Sequence, residues 1–213
     1  MKCAVITDTN VSRLYDPPDC FVVPAGESSK SLQTIESLAS ELSRRGYGRD
    51  TTIVALGGGM ITDLAGFLAG TFCRGVPLIL IPTTLLAMVD AAIGGKTAVN
   101  LPQGKNLIGS TTFPEKVIVH LPFLSTLPDI EWENGLIEVL KIGLLFDPHL
   151  FFHLYPTRSQ IWNLDRAKAP GFDDRKRVHI SNIDPFTIVE SRELSRESKS
   201  KFVTESGIHY PLK

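Results

Sequence analysis

An α/β fold with a doubly wound, mostly parallel sheet is the architecture that the sequence predicts for about its first 125 residues. Short apolar runs rich in β-branched residues alternate there with segments of helical spacing, a pattern typical of parallel strands joined by helices on both faces of a sheet. The runs at 51–56 and 77–82 are continuously apolar, as strands buried on both faces are. Helical spacing takes over afterwards, so we expect an α-helical second part over residues 126–213.

The individual elements follow from these runs and from the residues that end them. Strands are predicted at 3–7, 20–24, 51–56, 77–82 and 115–121. The polar residues "DTN" at 8–10 predict a turn after the first strand. Leu32, Ile35 and Leu38 recur at helical spacing and indicate a helix that Gly46 ends. A second helix is predicted from residue 60, directly after three glycines, and a third within 125–146.

Beyond residue 150 the sequence is less regular. Residues 155–185 are polar, contain prolines and show little periodicity, so a loop and a helix both remain open there. The charged stretch 187–203, "TIVESRELSRESKSKFV", predicts a surface helix.

Composition narrows the classes of function. The chain has 213 residues, a formal net charge of −1 and 43% hydrophobic residues, so no overall field favours nucleic acid or an anionic membrane surface. No apolar run reaches about 18 residues, the length that a membrane span needs. Three cysteines without a CxxC pair and an N-terminus without a signal-peptide pattern favour a cytoplasmic protein.

A glycine turn at 57–59 is the first candidate for chemistry. In "ALGGGMITD" a buried strand runs into three glycines and then into a helix. This arrangement exposes backbone N–H groups and the positive end of a helix to a phosphate group. The spacing differs from GxGxxG, so a tight turn without a ligand is the alternative reading.

The stretch 90–109, "DAAIGGKTAVNLPQGKNLIG", concentrates fixed charge among glycines. Lys96 and Lys105 lie nine residues apart on either side of a predicted turn, and their amines would converge on one anion. Asn106 and Asp90 would add directional hydrogen bonds. Two solvated loop lysines are the alternative, but glycines indicate close approach of the backbone to another group.

A third candidate lies on the predicted helix "NGLIEVLK" at 134–141. Glu138 and Lys141 are three residues apart and share a helix face. A surface ion pair is the ordinary reading. Because apolar residues flank Glu138, a partly buried carboxylate that binds a metal is the other.

Taken together, these segments resemble 3-dehydroquinate synthase. The resemblance rests on "GGGMITDLAGFLAGTFCRGVPLILIPTTLLAMVDAAIGGKTAVNLPQGKNLIG" and on "LSTLPDIEWENGLIEVLKIG", and it is nearly continuous over about residues 51–147. It implies a Rossmann-like domain over 1–125 that binds NAD, and a partial α-helical domain over 126–213 for metal and substrate. It also implies a homodimer.

Enzymes of this family convert 3-deoxy-D-arabino-heptulosonate 7-phosphate into 3-dehydroquinate and phosphate, in aromatic amino acid biosynthesis. The resemblance therefore implies a sugar-phosphate substrate, catalytic NAD and a divalent metal such as zinc or cobalt. It implies no nucleic-acid partner.

Site residues are implied by matching positions. The implied catalytic and substrate residues are Arg74, Asp90, Lys96, Lys105, Asn106, Lys141 and Lys199. Arg74 would reach the substrate phosphate from a neighbouring subunit. The implied NAD contacts are Asp8, Asn10, Glu27, Lys30, Gly58, Gly59, Asp63, Thr83, Thr84, Lys105 and Thr126. Glu138 is implied as a metal ligand.

The sequence departs from the family pattern in places that matter for metal binding. "KFVTESG" passes into "IHYPLK", where the family has the histidines that complete the metal site, so the expectation is a chain truncated relative to the family. One alternative is therefore a catalytically incomplete fragment that binds NAD. A second is a related sugar-phosphate cyclase such as 2-deoxy-scyllo-inosose synthase, and a third, the metal-dependent alcohol dehydrogenases, shares only the glycine turn and general architecture.

Overall fold

A six-stranded sheet with helices on both faces forms the body of the protein. The computed structural model describes residues 2–147, 151 and 187–190. The sheet order is β2-β1-β3-β4-β7-β8, in which the first five strands are parallel and β8 is antiparallel to β7. Its strands are β1 (Lys2–Asp8), β2 (Cys20–Val23), β3 (Thr51–Gly57), β4 (Leu78–Pro82), β7 (Lys116–Val119) and β8 (Thr187–Glu190). This confirms the predicted doubly wound α/β fold.

Among the described residues, four α-helices connect and cover these strands. They are α1 (Thr9–Tyr15), α2 (Leu32–Arg44), α3 (Gly59–Thr71) and α4 (Asp129–Phe146). The Ser31 hydroxyl accepts a hydrogen bond from the Thr34 N–H and so caps α2, whose buried face carries Ile35, Leu38 and Leu42. Helix α3 is apolar nearly all round, because it lies between the sheet and a separate hairpin.

The hydrophobic core lies around β3 and α3. Every residue of β3 except Val54 is buried, as expected for the central strand of a parallel sheet. Ile53 and Leu64 are fully shielded from solvent. This packing fixes the carboxyl end of β3, where the glycine turn begins.

A second sheet consists of the antiparallel hairpin β5 (Lys96–Leu101) and β6 (Gly104–Thr111). The hairpin lies against α3 at two glycines one helical turn apart. A Cβ atom added at Gly66 would collide with the Thr97 side chain, and one at Gly70 with the Thr112 hydroxyl. Glycine at these two positions therefore lets the hairpin approach the helix closely.

The structure corrects three details of the predicted elements. Residues 187–190 form a strand and not the start of a helix, because Thr187, Ile188 and Val189 are β-branched and the edge of β7 offers backbone partners. A short helix, α1, follows β1 where a turn was expected, because Asp8 caps it. Strands β5 and β6 were not predicted, although the turn between them was.

The described residues test only part of what the sequence predicts for residues 126–213. Helix α4 agrees with the helix expected within 125–146, while a domain boundary near 125 stays a prediction. Residues 155–185 and 191–203 lie outside the described residues. No helix within the described ranges has the length and apolar character needed to cross a membrane.

Candidate active site

The carboxyl ends of β1, β3 and β4 meet at one edge of the sheet. Asp8 is the last residue of β1, Gly58 follows β3, and Thr83 follows β4. The Thr83 N–H donates to the Gly57 carbonyl oxygen at 3.0 Å, which joins the last two strand ends. Ligands of open α/β sheets bind at this edge, in the crevice outside the strand ends. Three implied NAD contacts therefore lie together.

The N-terminus of α3 opens into this crevice without a side-chain cap. Gly58 is its N-cap residue and, lacking a side chain, leaves the first turn uncovered. A Cβ atom on Gly58 would lie 3.0 Å from the Thr84 methyl group, and one on Gly59 would lie 3.3 Å from Ala91 Cβ. The two glycines thus form a cradle that any larger residue would begin to fill. Backbone N–H groups and the helix dipole suit this cradle to a pyrophosphate.

A buried lysine stands beside the cradle. Lys30 is only 4% exposed, and its ammonium group forms an ion pair with Asp63 of α3. It also donates a hydrogen bond of 2.6 Å to Asn106 Oδ1. Burial raises the pKa of Asp63 above its usual value, and the Lys30 hydrogen bond and charge oppose that rise. The structure therefore joins α3, the loop before α2 and the hairpin through one cation.

An amide extends this network to Glu27. Asn100 Nδ2 donates to Glu27 Oε1 at 2.7 Å, and the Asn106 N–H donates to Asn100 Oδ1 at 2.9 Å. The Asn100 N–H donates to the Lys30 carbonyl oxygen at 2.8 Å. The predicted site residues did not include Asn100. Its position between Lys96 and Lys105 was the only signal in the sequence.

The hairpin holds its two lysines apart. Lys96 pairs with Thr111 at the open end of the hairpin, whereas Lys105 follows the turn that pairs Leu101 with Gly104. Asn100 lies four positions after Lys96 in β5, a distance of about 13 Å at the usual rise per residue. The turn therefore does not bring Lys96 next to Lys105. Lys105 instead lines a cleft of about 530 Å³ together with Glu27, Lys30 and Asn100.

Asp90 lies between the crevice and α4. It belongs to the π-helical turn Ala87–Ala91 that follows β4. Burial is the main cause of the raised pKa of Asp63 and the Glu138 hydrogen bond that of the raised pKa of Lys141, and the negative charge of Asp90 is a minor cause of both. Asp90 is therefore close enough to influence both the Asp63 carboxylate of α3 and the lysine of α4.

Glu138 and Lys141 form an ion pair on α4, as the sequence spacing predicted. The Glu138 Oε2 atom is shielded from solvent. A hydrogen bond to Glu138 is the largest cause of the raised pKa of Lys141. Within the described ranges, no three His, Cys, Asp or Glu residues are grouped so that they could hold a metal ion. These residues therefore offer a single metal ligand, Glu138, and do not by themselves fit a metal site.

Two implied site residues lie at the edge of this arrangement or away from it. The Thr126 hydroxyl hydrogen-bonds the Tyr15 hydroxyl at 2.5 Å, a contact between the region after β7 and α1. Arg74 follows the C-terminal end of α3, which lies about 20 Å along the helix from Gly58. Both Cys73 and Arg74 have left-handed backbone conformations, with φ of 52° and 71°.

Two further implied residues, Asn10 and Thr84, take part in local hydrogen bonds, and a third lies outside the described residues. Asn10 sits in the first turn of α1, where its N–H donates to Asp8 Oδ1 at 2.8 Å. The Thr84 hydroxyl accepts from the Ala87 N–H at 3.2 Å. Lys199 lies outside the described residues.

Comparisons with known proteins give the family. The family model described as 3-dehydroquinate synthase N-terminal matches residues 20–134. The 3-dehydroquinate synthase of Acidithiobacillus ferrooxidans is 48% identical over 160 residues, which covers 70% of this chain and 44% of the relative.

Two solved structures agree in fold and in part of the sequence. One is 2-epi-5-epi-valiolone synthase from Streptomyces hygroscopicus subsp. jinggangensis 5008 with NAD+ and Zn2+ bound. It has a TM-score of 0.68 and 32% identity, over 72% of this chain and 46% of that chain. The other is 2-deoxy-scyllo-inosose synthase complexed with carbaglucose-6-phosphate, NAD+ and Co2+. It has a TM-score of 0.63 and 33% identity, over 66% of this chain and 42% of that chain.

In each of these three comparisons the chain spans less than half of the relative's length. The family match nevertheless covers more than half of this chain and includes the glycine cradle, Lys30, Asp63 and the whole hairpin. The chain therefore belongs to the 3-dehydroquinate synthase family.

Proposed function

We propose that the chain binds NAD in the crevice at the carboxyl ends of β1, β3 and β4. The observation that carries this proposal is the uncapped, glycine-bounded N-terminus of α3 beside the Lys30–Asp63 pair. Gly58 and Gly59 would hold the pyrophosphate through backbone N–H groups. Asp63, Glu27 and Asp8 would accept hydrogen bonds from ribose hydroxyls. Two relatives with 32% and 33% identity whose structures contain NAD+ support this assignment.

Lys30 joins Asp63 and Asn106 across this site. Its charge offsets the carboxylate of Asp63, so a dinucleotide with a negative pyrophosphate meets less repulsion. Thr83 and Thr84 follow β4 and would line the nicotinamide side, whereas Asn10 and Thr126 would lie towards adenosine. When bound, NAD supplies a hydride acceptor and donor to the reaction.

The substrate side is formed by the hairpin, Asp90 and α4. We propose that the chain serves the family reaction, the conversion of 3-deoxy-D-arabino-heptulosonate 7-phosphate to 3-dehydroquinate and phosphate. The cations assigned to this reaction are Lys96, Lys105 and Lys141. They would bind the anionic groups of the sugar phosphate, and Asn106 would orient a hydroxyl. Asp90, between Asp63 and Lys141, would accept a hydrogen bond from the substrate near the nicotinamide.

The proposal includes a divalent metal, zinc or cobalt, and Glu138 is the one described residue proposed to bind it. The remaining metal ligands would come from outside the described residues, because one carboxylate is a poor metal site. The distance of Arg74 from the crevice supports a homodimer in which it serves a neighbouring site.

Phosphate release tests the proposed reaction. With NAD and zinc or cobalt present, we expect release from 3-deoxy-D-arabino-heptulosonate 7-phosphate and none from glucose 6-phosphate. The reverse preference would favour the second candidate, a cyclase like 2-deoxy-scyllo-inosose synthase, which the match to the carbaglucose-6-phosphate complex supports. NAD binding without release from either sugar phosphate would mean that the chain is catalytically incomplete.

One substitution pair tests the substrate side. Lys96→Ala should lower phosphate release by about 100-fold or more, because it removes a charge that binds the substrate anion. Lys116→Ala, at an exposed position at the start of β7 and outside the site, is the matched control and should leave release nearly unchanged. Equal activity of the two variants would contradict the placement of the substrate.

A further inference from the structure

We propose that Asn100 is a positioning residue that holds the hairpin in the conformation needed for NAD binding. This inference rests on the proposed NAD site. Asn100 is not one of the groups assigned to touch NAD or substrate. Its side chain instead connects Glu27, which is assigned to NAD, with Asn106, which is assigned to the substrate. Its backbone N–H is bonded to Lys30.

The hairpin is irregular where Asn100 lies. Ladder pairing runs from Lys96↔Thr111 to Val99↔Ile108 and resumes at Leu101↔Gly104. Between the last two pairs Asn100 alone stands opposite residues 105–107. Such a bulge leaves backbone groups without ladder partners. At this bulge the Asn106 N–H bonds the side chain of Asn100 instead of a backbone carbonyl.

The bulge sets the conformation of Asn106. Its backbone is left-handed, with φ of 57°, a conformation that asparagine tolerates better than most residues. Asn100 holds its N–H, while Lys30 holds its side-chain oxygen at 2.6 Å. Asn106 is therefore fixed at both ends. The same lysine pairs with Asp63, so the order in the bulge continues to the cradle on α3.

An amide is required at position 100 because the two neighbours need opposite partners. The Glu27 carboxylate accepts a hydrogen bond, and the Asn106 N–H donates one. Asparagine supplies a donor and an acceptor from one short side chain. Aspartate keeps the acceptor towards Asn106 but loses the donor towards Glu27 and sets a second carboxylate against it, which makes that contact repulsive. Alanine loses both bonds and leaves only the backbone bond to Lys30.

The test uses Asn100→Ala and Asn100→Asp in the chain as it is. Gln33→Glu serves as a control, because it makes the same amide-to-carboxylate change on the exposed surface of α2. Three quantities are measured: the NAD dissociation constant by calorimetry, the exchange rate of the Asn106 amide by NMR, and the urea midpoint. We expect Asn100→Ala to speed exchange at Asn106 and to weaken NAD binding by about tenfold, the effect of one to two lost hydrogen bonds.

Asn100→Asp should keep exchange at Asn106 slower than Asn100→Ala does. Gln33→Glu should leave Asn106 exchange and NAD affinity unchanged, with a urea midpoint at or slightly above that of wild type because it adds a carboxylate to the first turn of α2. Amide exchange at Val99 and Ile108 should stay slow in every variant, because the ladder there does not depend on Asn100. Unchanged NAD affinity or unchanged Asn106 exchange in Asn100→Ala would overturn the inference. So would loss of protection throughout the hairpin, since it would mean a general structural role. If the wild-type chain fails to bind NAD, the proposed site is wrong, and so is a positioning role for that site.

Discussion

At the scale of single residues, the ion pair of Lys30 and Asp63 dominates the electrostatics of the crevice. Lys30 is almost fully buried, and Asp63 is largely so. An ion pair removed from water is sustained by its partner and by further hydrogen bonds, and loss of one member leaves an uncompensated charge. Here Asn106 gives the ammonium group a second acceptor.

Removing the cation should destabilise the chain in a pH-dependent way. Lys30→Met should lower the free energy of unfolding by about 3 kcal/mol at pH 7. Because burial already raises the pKa of Asp63, the folded state holds this proton more tightly than the unfolded state does. Stability therefore falls as the pH rises through that raised pKa. Without Lys30 the pKa rises further, so the deficit of the variant should grow from pH 4 to pH 7.

Urea unfolding at several pH values measures this deficit. Lys116→Met is the control, because Lys116 is exposed on β7 and should show no such trend. A deficit of Lys30→Met that is constant with pH would mean that Asp63 is not its source.

The sequence alone could not group these residues. Lys30 lies 33 positions from Asp63 and 76 from Asn106, and no periodicity connects such distances. The resemblance to the family named all three, and the fold brings them together. The sequence also predicted that Lys96 and Lys105 would converge through a turn. The strand register places them at opposite ends of the hairpin instead, because the intervening residues are extended.

At the scale of elements, α3 organises the site. Its N-terminus forms the glycine cradle, its first turns carry Asp63, and its surface receives the hairpin at Gly66 and Gly70. The position of the hairpin, and so of Asn106, depends on that close packing. Helix α4 docks similarly, since a Cβ atom on Gly135 would lie 2.6 Å from Leu85 Cβ.

Alanine at Gly66 or Gly70 should push the hairpin away from α3. Overpacking costs about 1–3 kcal/mol and outweighs the roughly 1 kcal/mol that alanine adds to helix stability. We expect each variant to lower the free energy of unfolding and to weaken NAD binding. Gly48→Ala is the control, because the nearest atom to its Cβ would be 3.7 Å away. Stability equal to wild type in Gly66→Ala would show that the hairpin yields without strain.

Most elements could be predicted because their signals are local. Apolar runs gave five strands of the main sheet, and leucine spacing gave α2. The hairpin was missed because β6 is mostly exposed and lacks an apolar pattern. Its packing against α3 is a tertiary contact that the local sequence does not show. Strand β8 was misread as helix because its pairing with β7, about 70 residues earlier, is a tertiary property.

At the scale of the whole molecule, the described part forms the proposed NAD crevice more completely than a metal site. The glycines, Lys30, Asp63 and Glu27 come from elements that the same sheet positions. Glu138 brings one ligand and an ion pair with Lys141. The chain also spans less than half the length of its relatives. NAD binding is therefore the claim that the described residues support most directly.

Calorimetric titration of NAD into the wild-type chain, Gly58→Ser and Gly58→Asp tests that claim most directly. Both substitutions add the same Cβ beside Thr84, and both residues are good N-caps, so α3 should stay folded. We predict that the serine variant binds about fivefold more weakly than wild type, because its side chain would fill part of the cradle and cap N–H groups that the pyrophosphate needs. The aspartate variant should bind at least about tenfold more weakly, because its charge would face the pyrophosphate. Equal affinity of the two variants, or no NAD binding by the wild-type chain, would contradict the account.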